Sequence, residues 1–488
     1  MEYIENHTFD EISVGDKAEL SRTLNTQDIE LFAVMSGDVN PAHVDLEYAK
    51  SDIFHRVIAH GMWGGALISA VLGTQLPGPG TIYLKQSLEF HLPVGLGDKV
   101  LVRVTVKEKI ENKKQLILDC ECFNQDGELV IKGEAKVIAP SDKVRRPRVI
   151  LPEVHLHEHA AHYRQLIEKT KDIDPIRVAV VHPCDEVSLL GAIEAKDKGV
   201  IEPILIGPEA KIMAIAKEAS CNLDGIKIID VPHSHAAAAA AVEEVRLNNV
   251  DAIMKGKLHT DELMSPIVDA KNGLRTERRM SHIFALDVPT YHKPLFITDA
   301  AINIAPDLTT KRDIVQNAIE LLHTLGNSAP KVAILSAVET VNAKMVSTID
   351  AAALCKMAER MQITGGILDG PLAFDNAISK SAAATKGLVS EVAGDADILI
   401  APDLEAANML AKQLIYLAGA ESAGIVLGAT VPIILTSRSD GILSRLASCV
   451  LAQLYVHHHS TEKRATQQLP IGESNTNESS GYTKQILL

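Results

Sequence analysis

In the stretch "SGDVNPAHVD", residues 36 to 45, a carboxylate and an imidazole, Asp38 and His43, stand on one short segment. Adding water across a conjugated C=C needs one group to take a proton from water and another to return one to carbon. It also needs a donor for the enolate oxygen that develops on a thioester. Asp38 and His43 can hold the water between them. Gly61, opening the apolar run "GMWGGALISAVLG", can present a backbone N–H at a helix N-terminus, where the dipole favours negative charge. The same segment is also a good turn, because Gly37, Asp38, Asn40 and Pro41 favour bent backbone. Spacing by itself supports a proton-transfer pair and a capped turn equally.

A second group of polar residues recurs beyond residue 250. Lys255, Lys257, His259, Ser281, His282, Ser437 and Arg438 are donors suited to a phosphate or a phosphorylated tail. Each alone reads as an ordinary surface residue. Together, close to short β-branched runs, they point to an anion site.

The elements that must carry these residues fall into two blocks. In residues 1–140, "SLEFHLPV", "DKVLVRVTVKEKI", "KKQLILDCECFNQDG" and "LVIKGEAKVIAP" alternate apolar and polar positions, as strands of an antiparallel sheet do. The run at 61–73 is apolar nearly all round and predicts a buried helix for that sheet to wrap. Residues 141–176 read as a polar linker. Their His155, His157, His159 and His162 do not converge on one face, and no metal is expected. From 177 to 458, nine runs, among them "RVAVVHP", "DAIMKGK", "PLFITDA" and "PIILTSR", alternate with Ala-rich helical segments. That pattern predicts a parallel, multiply wound α/β region with ligand groups on the loops at strand C-termini. Residues 459–488 are polar and read as a disordered tail.

Bulk properties narrow the function classes. A chain of 488 residues needs more than one domain. Aromatics are only 3%, so the core must be built from Val, Ile, Leu and Ala, as in sheets covered by helices. A formal charge of −15 argues against a nucleic-acid surface. No apolar run reaches the ~20 residues of a membrane span, and no secretory signal pattern opens the chain. The six cysteines show neither zinc spacing nor disulfide density, which suits reduced thiols in the cytoplasm. Neither G-x-G-x-x-G nor G-x-x-x-x-G-K-[ST] occurs, leaving a nucleotide cofactor without motif support.

Residues 8–138, with D-x-N-P-x-H followed by A-H-G, resemble the MaoC-type, (R)-specific enoyl-CoA hydratases. The resemblance implies an α+β hot-dog domain in which two protomers pair. It also implies Asp38 and His43 as the catalytic dyad, Gly61 as oxyanion donor, Ser69 as a pocket residue, and Asn40 and Pro41 as shapers of the loop. His55 and Arg56 stand where smaller or uncharged residues are expected. Residues 177–458, with "MKGKLHTDELM", "RRMSHIFALDVP", "GGILDGPLAFDNAISK" and "PIILTSRSDG", resemble the phosphate acetyl/butyryltransferases. That resemblance implies a two-subdomain α/β acyltransferase, split at 177–303 plus 436–458 and 304–435. Ser437 would contact the thioester and Arg438 the phosphate, with Lys255, Ser281, His282 and Asn408 as further cleft residues.

The implied substrates are acyl-CoA thioesters and phosphate, with no bound cofactor, and the implied chain is a homo-oligomer. One position departs from the acetyltransferases. Where they carry a carboxylate on the following helix, this chain has Ser444, and Asp440 is the nearest acid. An alternative is therefore an active hydratase joined to an impaired, CoA-binding or oligomerising module. An NAD(P)-dependent decarboxylating dehydrogenase, related in fold, lacks its cluster of metal-binding Asp residues here.

Overall fold

The computed structural model describes residues 3–149, 154, 161–437 and 440–467. The chain divides into two compact units, Met1–His157 and Glu158–Leu488.

In the first unit, five antiparallel strands follow the order Lys17–Thr23, Lys99–Ile110, Gln115–Phe123, Leu129–Ile138 and Ile82–Phe90. Their two-residue period sends Val100, Val102, Val104 and Val106 inward, with Leu116, Leu118, Cys120 and Cys122 beside them, all essentially unexposed. Register pairs Val104 with Cys120 and Val102 with Cys122, so the two cysteines do share the core face. The helix Gly61–Thr74 lies on that face and buries Trp63, Leu67, Ile68, Val71 and Leu72. Burial of each large side chain is worth about 1.5–3 kcal/mol, so this one face anchors the helix. Gly64 allows the close approach: a Cβ there would sit 2.3 Å from Ile131 Cδ1. The helix is not buried all round, however. Met62 is 55% exposed and Ser69 is also exposed, because the sheet covers only one side.

Two parts of the segment 141–176 form regular structure. Arg145–Pro147 pairs with Tyr3–Glu5, and Ala161–Glu168 is helical. His155, His157 and His159 lie outside the described residues.

The second unit is built on one eleven-stranded sheet. Its order is Lys227–Asp230, Ile201–Gly207, Ile176–Val181, Ala252–Lys255, Ile433–Ile434, Glu421–Leu427, Ser281–Asp287, Leu295–Thr298, Ile398–Ile400, Lys331–Leu335 and Ile367–Leu372. The sheet is mixed rather than parallel. Ser281–Asp287 runs antiparallel to both of its neighbours, and Glu421–Leu427 is antiparallel to Ile433–Ile434. A short return between Asp287 and Leu295 forces the first reversal, since a parallel pair would need a longer crossover. Strands on either side of 304 and 436 interleave in this order, so those two positions do not divide the sheet. The last helix, Ile442–Gln467, runs nine residues into the expected tail, while residues 468–488 lie outside the described ones. Its buried face carries Leu446, Ala447, Val450 and Leu451, which anchor its first turns.

Candidate functional site

In the first unit, the loop 37–40 joins the helices Thr26–Ser36 and Pro41–Val44. Gly37 ends the former in the left-handed region, at φ 76°. Asn40 caps the latter by accepting from the Ala42 N–H at 3.2 Å, and Pro41 occupies the first helical position. These turn-forming residues fix Asp38 and His43. The Asp38 carboxylate is exposed and accepts from the Asn40 N–H at 3.2 Å. His43 is half-buried, and its Nδ1 lies 2.9 Å from the Ile58 carbonyl. A carbonyl can only accept, so Nδ1 carries a proton, and in the neutral imidazole Nε2 then holds the lone pair that a general base requires.

One residue of this site escaped the reading of the sequence. His60 is 3% exposed, donates from Nε2 to the Asp38 carbonyl at 3.0 Å, and faces the His43 ring at 4.0 Å between centroids. The A-H-G motif was its only signal. Ligand atoms of Asp38, His43 and His60 lie within 4.8 Å of one another, a set that could hold a cation as well as a water.

His43, His60 and Gly61 line a cavity of about 270 Å³ whose other walls include Phe54, Trp63, Phe90, Val94 and Ile131. Gly61 is the first residue of its helix, so its N–H has no partner inside that helix. A largely apolar chamber with a base and a helix N-terminus at one end suits an acyl chain whose polar head meets the dyad. Ser69 is not part of it. The chamber touches this helix only at Gly61, Trp63 and Gly64, and Ser69 lies roughly 12 Å along the axis from Gly61 at 1.5 Å per residue.

The second unit brings Lys255, His282, Asn408 and Ser437 together around a cavity of about 310 Å³. His259 lines it too, and Thr260, Lys412 and Thr436 join them, with Leu258, Phe284 and Leu435 as apolar wall. Lys255 ends a fully buried strand and is itself only 4% exposed. His282 is buried. Its Nε2 faces the Leu435 carbonyl at 3.2 Å, and burial pushes the imidazole below its ordinary value, keeping it neutral.

Ser281 departs from the expectation. It alternates to the other face of the strand and accepts from Asn317 Nδ2 at 2.9 Å, away from the cavity. Arg438 lies outside the described residues.

The loop after Leu295–Thr298 is held by one buried carboxylate. Asp299 Oδ1 accepts from the N–H groups of His282, Ala301 and Ile302 at 3.0–3.1 Å. Its Oδ2 accepts from the Asn303 N–H at 2.9 Å and from Asn303 Nδ2 at 2.6 Å. Ala300 and Ala301, in the same loop, line the cavity. Near Ser437, Asp440 accepts from the Ser437 N–H at 2.6 Å, and burial raises its carboxyl above the ordinary range. Ser444 provides no acid: its carbonyl accepts from Ser448 Oγ at 2.7 Å.

Comparison with known proteins separates along the same two units. Residues 233–452 match the family model described as phosphate acetyl/butaryl transferase, and residues 11–118 match the MaoC like domain. A phosphate acetyltransferase of Rhizobium meliloti is 59% identical over 305 residues, which cover 62% of this chain and 95% of the relative. The chain belongs to the phosphate acetyl/butyryltransferase family. The crystal structure of a branched-chain phosphotransacylase from Enterococcus faecalis V583 shares 30% identity at a TM-score of 0.52, covering 58% of this chain and all of the other. This transferase fold is preceded by a MaoC-like domain, whose antiparallel sheet laid over one helix is the hot-dog arrangement. Over 32% of this chain and 99% of the other, R-hydratase PhaJ1 from Pseudomonas aeruginosa is 44% identical, with a TM-score of 0.31. Among the described residues, no helix is long and apolar enough to cross a membrane.

Proposed function

We propose that the chain is a bifunctional acyl-CoA enzyme. Its first unit adds water to short-chain trans-2-enoyl-CoA to give the (R)-3-hydroxyacyl-CoA. Its second exchanges CoA and phosphate on an acyl group. One observation carries the hydratase half: Nδ1 of His43 is committed to the Ile58 carbonyl, leaving Nε2 basic beside Asp38 at the polar end of an apolar chamber. A water between Asp38 and His43 gives up one proton as its oxygen bonds to C3. The C2–C3 π electrons move toward the thioester, and its oxygen takes charge opposite the Gly61 N–H. C2 then receives a proton from the pair, so H and OH are both added and none is left over.

For the transferase half, phosphate oxygen attacks the thioester carbon and the CoA thiolate leaves, giving an acyl phosphate. Family membership and the convergence of Lys255, His282, Asn408 and Ser437 on one cavity support this assignment. Arg438 completes it as the phosphate ligand. Asp440, poised on the Ser437 N–H, supplies the acid–base group that Ser444 lacks, which favours an active transferase over a binding module. CoA thioesters and phosphate are its substrates; no bound cofactor or metal takes part. The chain acts in the cytoplasm as a homo-oligomer.

The test is direct. Purified full-length protein is assayed for loss of crotonyl-CoA absorbance with chiral analysis of the product, and for phosphate-dependent release of CoA from acetyl-CoA and butyryl-CoA. Absence of hydration refutes the first half, formation of the (S) product refutes its stereochemistry, and CoA release independent of phosphate refutes the second half.

A further inference from the structure

Arg445 stands one turn into the helix Ile442–Gln467 and is 3% exposed. Gly191 makes room for it: a Cβ there would come within 2.7 Å of Arg445 Cδ. The guanidinium donates from Nη1 to Thr436 Oγ1 at 2.9 Å and to the Lys255 carbonyl at 3.5 Å, and from Nη2 to the Ser437 carbonyl at 3.2 Å. All three acceptors are neutral. Its Nε is buried and, among the described residues, has no hydrogen-bond partner.

Among the described residues, no carboxylate forms an ion pair with Arg445. Asp185 and Asp440 are the acidic groups whose fields reach it. Asp185 is engaged with the Ser188 N–H at 2.8 Å and Asp440 with the Ser437 N–H at 2.6 Å. Burial lowers the Arg445 value, against the fields of these two carboxylates, which is the mark of a desolvated cation. A buried cation held only by neutral acceptors is costly, and a structure keeps one where something else completes it.

The three groups Arg445 holds belong to residues that line the transferase cavity: Lys255, Thr436 and Ser437. Lys255 brings a second buried cation to the same place. We propose that Arg445 is a positioning residue for the phosphate substrate. It aims Thr436 and Ser437 at the cavity and, with Lys255, gives the cavity floor a positive charge that a phosphate dianion completes. The inference rests on the phosphate-dependent transfer proposed above. Free phosphate and the phosphate groups of CoA share this chemistry, and the proposal commits to the former.

The full-length protein and its Arg445→Met and Arg445→Lys variants are compared in two assays. Thermal unfolding is followed with no ligand, with inorganic phosphate and with CoA. Steady-state transfer then gives KM separately for phosphate and acyl-CoA. Phosphate raises the Tm of the wild type by mass action, and Arg445→Met abolishes that shift. In the same variant KM for phosphate rises about tenfold or more, KM for acyl-CoA moves by less than about twofold, and Arg445→Lys recovers part of the loss. Without ligand, Arg445→Met unfolds at or above the wild-type temperature, because an uncompensated buried charge has gone.

A lower Tm with KM for phosphate unchanged would make Arg445 merely structural and overturn the proposal. So would a CoA shift lost while the phosphate shift persists, or a wild type insensitive to phosphate. Should Arg445→Met fail to fold, an Arg445→Lys variant with wild-type KM for phosphate and wild-type phosphate shift overturns it equally. A phosphate shift lost in Arg445→Met, in a protein that transfers no acyl group, upholds Arg445 while refuting the transfer reading.

Discussion

Asp299→Asn exchanges one carboxylate oxygen for an NH₂ and leaves shape and volume nearly unchanged. In the native protein that carboxylate gathers five donors: four backbone N–H groups and Asn303 Nδ2. The amide oxygen of Asn can keep the three on the Oδ1 side. Its NH₂ must then face the Asn303 N–H and Nδ2, donor against donor. Each hydrogen bond to a charged acceptor is worth about 1.5–3 kcal/mol, so losing two costs about 3–6 kcal/mol at a residue only 3% exposed. At roughly 2 °C per kcal/mol, the lower end for large domains, the second unit melts about 6–12 °C lower. Ala300 and Ala301 shift with the loop, so acyl transfer weakens even at temperatures where the variant is folded. Differential scanning calorimetry and the CoA-release assay read the two effects. A Tm within 2 °C of wild type, with unchanged kinetics, would refute the view that this carboxylate organises the cavity loop.

Three further outcomes follow from the same geometry. Asp38→Asn lowers crotonyl-CoA hydration by about 10²-fold or more and leaves phosphate-dependent transfer intact, as parallel assays of one preparation will show. Ser437→Ala does the reverse, lowering CoA release by about tenfold or more with hydration unchanged, and equal loss of both activities would contradict two separate sites. Burial pushes the Cys120 thiol up to about 11 and the Cys122 and Cys449 thiols to about 12. These are folded-state values raised above the unfolded ones. Their contribution to stability is therefore complete below about pH 8.5 and is lost as pH rises toward 11–12. Urea melts at pH 8, 9.5 and 11 should show a falling midpoint, and native thiols should resist alkylation at pH 8. Rapid modification of Cys120 in folded protein would contradict its burial.

Much of this protein is legible in its sequence because the determining signals are local. Strict alternation in "LILDCECF" needs only the two-residue pleat to put Cys120 and Cys122 on the core face, and the structure places both there. Asn40 and Pro41 cap and start a short helix by chemistry confined to neighbouring residues, and they carry Asp38 and His43 with them. Nine β-branched runs correspond to strands of the large sheet. The two that escaped, Ser281–Asp287 and Glu421–Leu427, are its central antiparallel members. Both are buried along nearly their whole length, so neither shows alternation, and direction of pairing leaves no mark on a single strand.

Side chains that act on distant residues were beyond local reading. Whether Ser281 or His282 faces the cavity depends on which face of the strand is covered by what. Ser69 carries a chemically suitable hydroxyl, yet the chamber touches its helix only in the first turn. Asp299, His60 and Arg445 each have a partner that only folding brings to them: the His282 N–H, the Asp38 carbonyl and the Lys255 carbonyl. Periodicity and capping are properties of a few consecutive residues, so the sequence by itself determined most of the elements, the two-part organisation and the turn that carries Asp38 and His43. Hydrogen bonds across ten to a hundred residues or more depend on the packing of whole elements, and only the tertiary structure decided which polar groups meet at each cavity.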